Sequence, residues 1–328
     1  MPVIVIFLSR SRVENTGIVL PPDWQIRYLR GASDEEMIAA CRDADCILSV
    51  GSEGEIGAEL IDACRNLKLI QCLGAGFNHV DMAAAERRGI PVANSAGQNA
   101  TTVAEFTIGC IIALQRRLVE SDAAVKAGRY GDFRPQILKT GLQEIGGSRI
   151  GLVGFGHIGR EVARIACVLG ASVVYHTPRQ QPAAIEQNLN VSHRSLDNLL
   201  AESDIVSLHV PLNETTRCLI GARELALMKA GSLLVNTARG MVVDQAALAE
   251  ALESGHLGGA AIDTFDPEPP PAGHPLLSLS EEARRRLLLT PHTAGLTVPS
   301  FRRMLKACFV NMERVLKGEP PENQVNKT

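Results

Sequence analysis

The sequence predicts an α/β protein built as two doubly wound parallel-sheet (Rossmann-like) domains with a cleft between them, and three observations predict it. Short β-rich runs alternate with helical patterns from the first residues, a second such series begins near residue 149, and a long apolar helical stretch separates the two. At 328 residues the chain exceeds one ordinary core, which makes two domains the first expectation.

In the first series, Val3–Leu8, Gln25–Leu29, Cys46–Val50, Leu67–Leu73 and Ile90–Asn94 read as strands, short and rich in aliphatic residues. Between them, Asp34–Cys41, Ile56–Cys64 and Met82–Arg88 carry helical spacing. A single helix is expected over Thr102–Ala127, with Val103, Phe106, Ile108, Ile111, Ile112 and Leu114 making a very apolar surface. The second series places strands at Arg149–Val153, Ser172–Tyr175, Ile205–Val210, Ser232–Asn236, Gly259–Asp263 and Leu287–Thr290. Its helices are expected at Ile158–Leu169, Leu196–Ala201, Arg223–Met228 and Gln245–Glu253. The last helical segment, Pro299–Leu316, is too short for a domain and is expected to return to the first one. The expected division is therefore a discontinuous substrate-binding domain, 1–100 plus 296–328, and a dinucleotide-binding domain, 101–295.

Composition excludes several classes. A hydrophobic share of 45% with 21% charged residues fits a folded globule. A net charge of −3 with no long basic run gives no field for nucleic acid, and Arg284-Arg285-Arg286 reads as a solvated helix face. Eight scattered cysteines form no CxxC pair, so buried thiols are expected and no metal site. The opening Met1–Leu8 has no basic leader and is too short to span a bilayer, which points to the cytoplasm and to no membrane partner.

The chemistry begins at Gly154-Phe155-Gly156-His157-Ile158-Gly159, which follows an apolar strand and opens a helical face at Val162, Ile165 and Ala166. In that setting the first glycine permits a tight turn, the second lets backbone approach a pyrophosphate, and the third lets helix and strand pack closely. The helix N-terminus then offers unpaired N–H groups to the phosphates. After the next strand, where an NAD enzyme carries an acid for the ribose hydroxyls, the chain reads His176-Thr177-Pro178-Arg179. No Asp or Glu stands between Ala171 and Ala184, whereas Arg179 with Thr177 offers donors to a 2′-phosphate. NADP is therefore favoured over NAD.

Three further residues stand just after strands of the same expected sheet: Arg239, Glu268 and His292. A guanidinium binds a carboxylate bidentately, an imidazole moves a proton near neutral pH, and a carboxylate orients that imidazole. Together, behind a dinucleotide loop, they form the set that reduction of a 2-oxo acid requires.

The segments Leu73–Asp81, Asn99–Glu105, Gly154–Gly159, Asn236–Gly240, Asp263–Pro269 and Thr290–Gly295, in this order, resemble the D-isomer-specific 2-hydroxyacid dehydrogenase family over nearly the whole chain. The resemblance, of the glyoxylate/hydroxypyruvate reductase kind, implies that Arg239 binds the substrate carboxylate and carbonyl, Glu268 partners the histidine, and His292 is the general acid/base. It implies that backbone amides of Gly74, Ala75 and Gly76 hold the substrate, and that Val103, Asp263, Thr237 and Ala238 lie near the nicotinamide. His209 and Pro211 match the segment beside the adenosine, and the helix from Thr102 matches a homodimer-forming element. Residues 49–52 and Leu73–Asn78, with Leu296 or Phe301, are expected to shape a pocket for a small 2-oxo or 2-hydroxy acid. A phosphite-type dehydrogenase of the same family would carry a lysine where Ala75 stands, and a dinucleotide-sensing regulator has no use for a proton shuttle.

Overall fold

The computed structural model describes residues 1–327, apart from the side chain of Ser52, which was expected at the pocket. The chain divides into two compact units, Met1–Asn99 with Leu296–Thr328 and Ala100–Gly295.

The first unit holds β1 (Val3–Ile6), β2 (Gln25–Tyr28), β3 (Cys46–Ser49), β4 (Leu69–Cys72) and β5 (Val92–Ala93), all parallel in the order β2-β1-β3-β4-β5. Alternation along the strands sorts side chains onto two faces. Val5, Phe7, Ile47 and Ile70 pack with Met37, Leu60 and Ala84 on one side. Ile4, Ile6, Leu8, Leu48 and Leu69 meet Met304, Leu305, Cys308, Phe309 and Met312 on the other. Those last residues recur at three- and four-residue intervals along the helix Val298–Leu316, so the second face of this sheet is covered by the end of the chain. Beyond that helix, Asn326 accepts from Val92 N and donates to Ile90 O, pinning the C-terminal segment beside β5.

The second unit contains β6 (Arg149–Val153), β7 (Ser172–His176), β8 (Val191–His193), β9 (Ile205–Leu208), β10 (Leu233–Asn236), β11 (Gly259–Ile262) and β12 (Leu287–Leu289). They form one parallel sheet ordered β12-β11-β10-β9-β6-β7-β8. Strand order reverses between β6 and β9, and in such sheets ligands bind beyond the carboxyl ends at that reversal. The helix Ala100–Gln115 packs against the helix His157–Val168 and under β10 and β11.

The expected helix over 102–127 is broken. It runs as Ala100–Gln115 and Leu118–Lys126, with Arg117 between them at a left-handed φ of 47°. Arg117 is held there by Glu120 at 2.6 Å and lies 5.4 Å from the ring centroid of Phe133. A third helix, Tyr130–Thr140, and the strand β8 were not expected; the helix contains Gly131 and Pro135, and β8 is three residues long. Arg284 and Arg286 are not simply solvated, since their guanidinium groups donate to the carbonyls of Leu279 and Leu252. No described helix is long and apolar enough to cross a membrane.

Asn326→Ala removes two buried hydrogen bonds at once and should destabilise the first unit by about 2 kcal/mol. Urea unfolding followed by Trp24 fluorescence is the measurement, and an unshifted midpoint would contradict the role given to the C-terminal segment.

Candidate active site

The glycine loop leaves β6 in a sharp turn, with Gly154 at φ 97° and its N–H donating to His176 O. A side chain at Gly154 would run into the backbone of His209, and one at Gly159 into the backbone of Gly154. At Gly156 it would meet nothing within 4 Å. The outer two glycines are thus required by the chain's own packing, while the middle one faces open space. Gly156 caps the helix His157–Val168, and the N–H groups of His157, Ile158 and Gly159 donate to no other described residue. Unpaired amides at a helix N-terminus, above a glycine with no neighbour, fit a dinucleotide pyrophosphate. Phe155 is buried beneath the turn and stacks on Tyr175 at 4.2 Å.

At the end of β7 two imidazoles clasp the neighbouring strand. His176 Nδ1 donates to Arg194 O at 3.0 Å, and His193 Nε2 donates to Thr177 O at 2.9 Å. Thr177 Oγ1 donates to Arg179 O at 2.6 Å, so its hydroxyl proton shapes the loop. The exposed Arg179 side chain makes no ion pair among the described residues. The sequence carries no acid between Ala171 and Ala184, but folding brings one: Glu186 accepts from Tyr175 Oη at 2.7 Å and from Gln180 Nε2 through both oxygens. That carboxylate is therefore occupied by the loop itself. On the other side of β6, His209 Nε2 pairs with Ser207 Oγ at 2.9 Å while Nδ1 is buried without a partner. Burial holds its pKa down at about 3, which keeps the imidazole neutral. Pro211 follows it on the surface.

Beyond β10, a tight turn presents Arg239. Asn236 Nδ2 donates to Arg239 O and Asn236 Oδ1 accepts from Ala238 N, tying the turn across its base. Thr237 is fixed through Thr107 at 3.2 Å, from the helix that also carries the buried Val103. The guanidinium of Arg239 donates to Ala238 O at 2.6 Å and forms no ion pair among the described residues. Burial pulls its pKa down and the nearby Glu268 charge opposes the shift. A half-buried guanidinium in no direct ion pair, with only the nearby Glu268 charge to offset its burial, can take an anion.

His292 follows β12 at φ 52°, a left-handed conformation that costs an imidazole-bearing residue about 1 kcal/mol or more. The conformation is imposed by Asp263, at the end of β11 and 1% exposed. Its carboxylate accepts from Thr290 Oγ1 at 2.6 Å, Thr293 N at 2.9 Å and Ala294 N at 2.9 Å, while its carbonyl accepts from His292 N at 2.8 Å. So Asp263, expected near the nicotinamide, spends its side chain on the loop that carries the histidine. In that loop His292 Nδ1 donates to Glu268 Oε1 at 2.7 Å, which fixes the ring and leaves Nε2 free. Glu268 and His292 are thus in contact, with Arg239 close enough to feel the Glu268 charge.

In the first unit, the N–H groups of Gly74, Ala75 and Gly76 donate to no described residue.

Comparison with known proteins adds family information. Residues 108–294 match the family described as D-isomer specific 2-hydroxyacid dehydrogenase, NAD binding domain. A glyoxylate reductase of Thermofilum pendens is 40% identical over 296 residues, 90% of this chain and 85% of that protein. A hydroxypyruvate reductase of Thermotoga maritima is 36% identical over 276 residues, 82% and 84% of the two chains. The holo form of D-mandelate dehydrogenase from Rhodotorula graminis superposes with a TM-score of 0.87 at 27% identity, covering 100% of this chain and 98% of that one.

The glycines separate folding from binding. Gly156→Val should leave the melting temperature within about 2 °C of wild type yet weaken nicotinamide dinucleotide binding at least about tenfold, whereas Gly159→Ala should lower stability itself, by about 1–3 kcal/mol. Calorimetry and fluorescence titration distinguish the two; equal melting losses would contradict the assignment.

Proposed function

The chain belongs to the D-isomer specific 2-hydroxyacid dehydrogenase family and is an NAD(P)-dependent oxidoreductase; from that premise we propose that it reduces a small 2-oxo acid of the glyoxylate or hydroxypyruvate kind to the D-2-hydroxy acid. The observation that carries the proposal is the guanidinium of Arg239, in no direct ion pair among the described residues, on the same sheet edge as the Glu268–His292 pair. The relatives named glyoxylate reductase and hydroxypyruvate reductase support the same substrate class.

A reduced nicotinamide, when bound, supplies the hydride that reaches C2. The cofactor would be held by residues 154–159 at its phosphates, with Thr237, Ala238, Asp263 and Val103 at the nicotinamide end and His209 and Pro211 at the adenosine. Doubly protonated His292 gives its Nε2 proton to the carbonyl oxygen as charge develops there, and Glu268 stabilises the imidazolium beforehand. Arg239 takes the carboxylate and the carbonyl oxygen, an electrostatic hold that strengthens as the oxygen gains charge. The amides of Gly74, Ala75 and Gly76 in the first unit, which donate to no described residue, are assigned to the substrate carboxylate by the family resemblance. No cation stands among residues 73–78, in keeping with an unphosphorylated acid. NADP is the favoured cofactor, because Arg179 beside the end of β7 is in no ion pair among the described residues and Glu186 is already engaged.

The exposed Leu118, Val119, Val125, Tyr130 and Leu138 on the helices after Ala100–Gln115 form the face of a homodimer. Six buried free thiols, four of them held up at about 12 by burial, suit a cytoplasmic enzyme.

NADPH oxidation on adding glyoxylate or hydroxypyruvate is expected, with His292→Ala lowering kcat by about 10²–10⁴-fold and Arg239→Ala acting mainly on kcat/KM. Arg179→Ala should erase the preference for NADPH over NADH. Cofactor binding without reduction of any 2-oxo acid would favour the dinucleotide-sensing alternative, and a monomeric mass by light scattering would remove the dimer.

A further inference from the structure

The segment 73–78 lies outside any helix or strand, yet the carbonyls of Gly74 and Ala75 are fixed. Leu73 N donates to Ser49 O, Gly74 O accepts from Ser95 N at 3.0 Å, and Ala75 O accepts from Asn94 Nδ2 at 2.8 Å. These peptides are trans, so each C=O points opposite to the N–H that follows it. Drawing the Gly74 carbonyl onto Ser95 therefore turns the Ala75 N–H away, and drawing the Ala75 carbonyl onto Asn94 does the same for the Gly76 N–H. The Asn94 carboxamide cannot rotate to do otherwise. It is buried, its Oδ1 accepts from Ala96 N at 3.1 Å, and its own backbone N–H donates to Asn323 O at 3.2 Å in the C-terminal segment.

We propose that Asn94 is a positioning residue for the substrate carboxylate, holding the Ala75 carbonyl inward so that the Gly76 N–H stays aimed at the acid. This rests on the reading that the amides of Gly74–Gly76 bind that carboxylate. Asn94 touches neither substrate nor cofactor in this scheme; it acts through one peptide plane. Its loss should therefore appear in substrate affinity and in recognition of the carboxylate, with the hydride and proton steps unmoved.

The test uses the full-length enzyme with glyoxylate and with glyoxylamide, which lacks the carboxylate charge. Asn94→Ala should raise KM for glyoxylate about tenfold, the size of one lost hydrogen bond. It should leave kcat within about twofold and the NADPH Kd unchanged, and shrink the preference for acid over amide by a similar factor. Asn94→Asp keeps the bond from Ala96 N but sets an oxygen against the Ala75 carbonyl, so it should do at least as much. It also serves if the alanine variant does not fold. An unchanged KM in either folded variant, or a loss shared equally by kcat and NADPH binding, overturns the assignment. Ala75→Pro deletes one amide outright: an unchanged KM there overturns the amide reading and this inference with it. A raised KM there beside unchanged Asn94 variants overturns Asn94 alone.

Discussion

The carboxylate of Asp263 governs the second unit's chemistry. It is 1% exposed and has no cation for a partner among the described residues, so its burial is tolerable only because hydrogen bonds saturate it. Those bonds come from Thr290, Thr293 and Ala294, three members of the loop that carries His292. Satisfying one buried charge therefore fixes the backbone on both sides of the histidine and holds it at φ 52°. Glu268 then has only to set the ring, not to hold the chain.

The same economy recurs at the other anion-seeking positions. Carbonyl oxygens are consumed inside the protein and N–H groups are left outside. At Gly156–Gly159 a helix start does this by its geometry, with Gly156 clearing the approach. In segment 73–78, Ser95 and Asn94 do it peptide by peptide. At Arg239, Asn236 ties the turn from below and the guanidinium is left in no direct ion pair among the described residues.

Much of this was legible in the sequence, for definite reasons. Buried parallel strands read as continuous aliphatic runs, and Val3–Ile6 or Leu233–Asn236 could hardly be anything else. The glycine loop was legible because strand and helix patterns flank it. Arg239, Glu268 and His292 stood out as polar residues after apolar strands, and the contact between the last two is present at 2.7 Å. What stayed hidden depends on long-range bonds. Nothing local marks Asp263 as the clamp of residues 290–294, Glu186 as a carboxylate that folds back onto Tyr175, or Asn94 as the partner of Ala75. The break at Arg117 escaped because its left-handed backbone is stabilised by Glu120 and Phe133, not by a glycine.

The most direct test of the Asp263 clamp is kcat for glyoxylate reduction by Asp263→Asn at saturating cofactor. The variant keeps the shape of the side chain but replaces one accepting oxygen by a donor that faces the loop's own N–H groups. The account predicts a folded protein that still binds cofactor and turns over about a hundredfold more slowly, because His292 no longer holds its place. Wild-type turnover in a folded Asp263→Asn protein would contradict it.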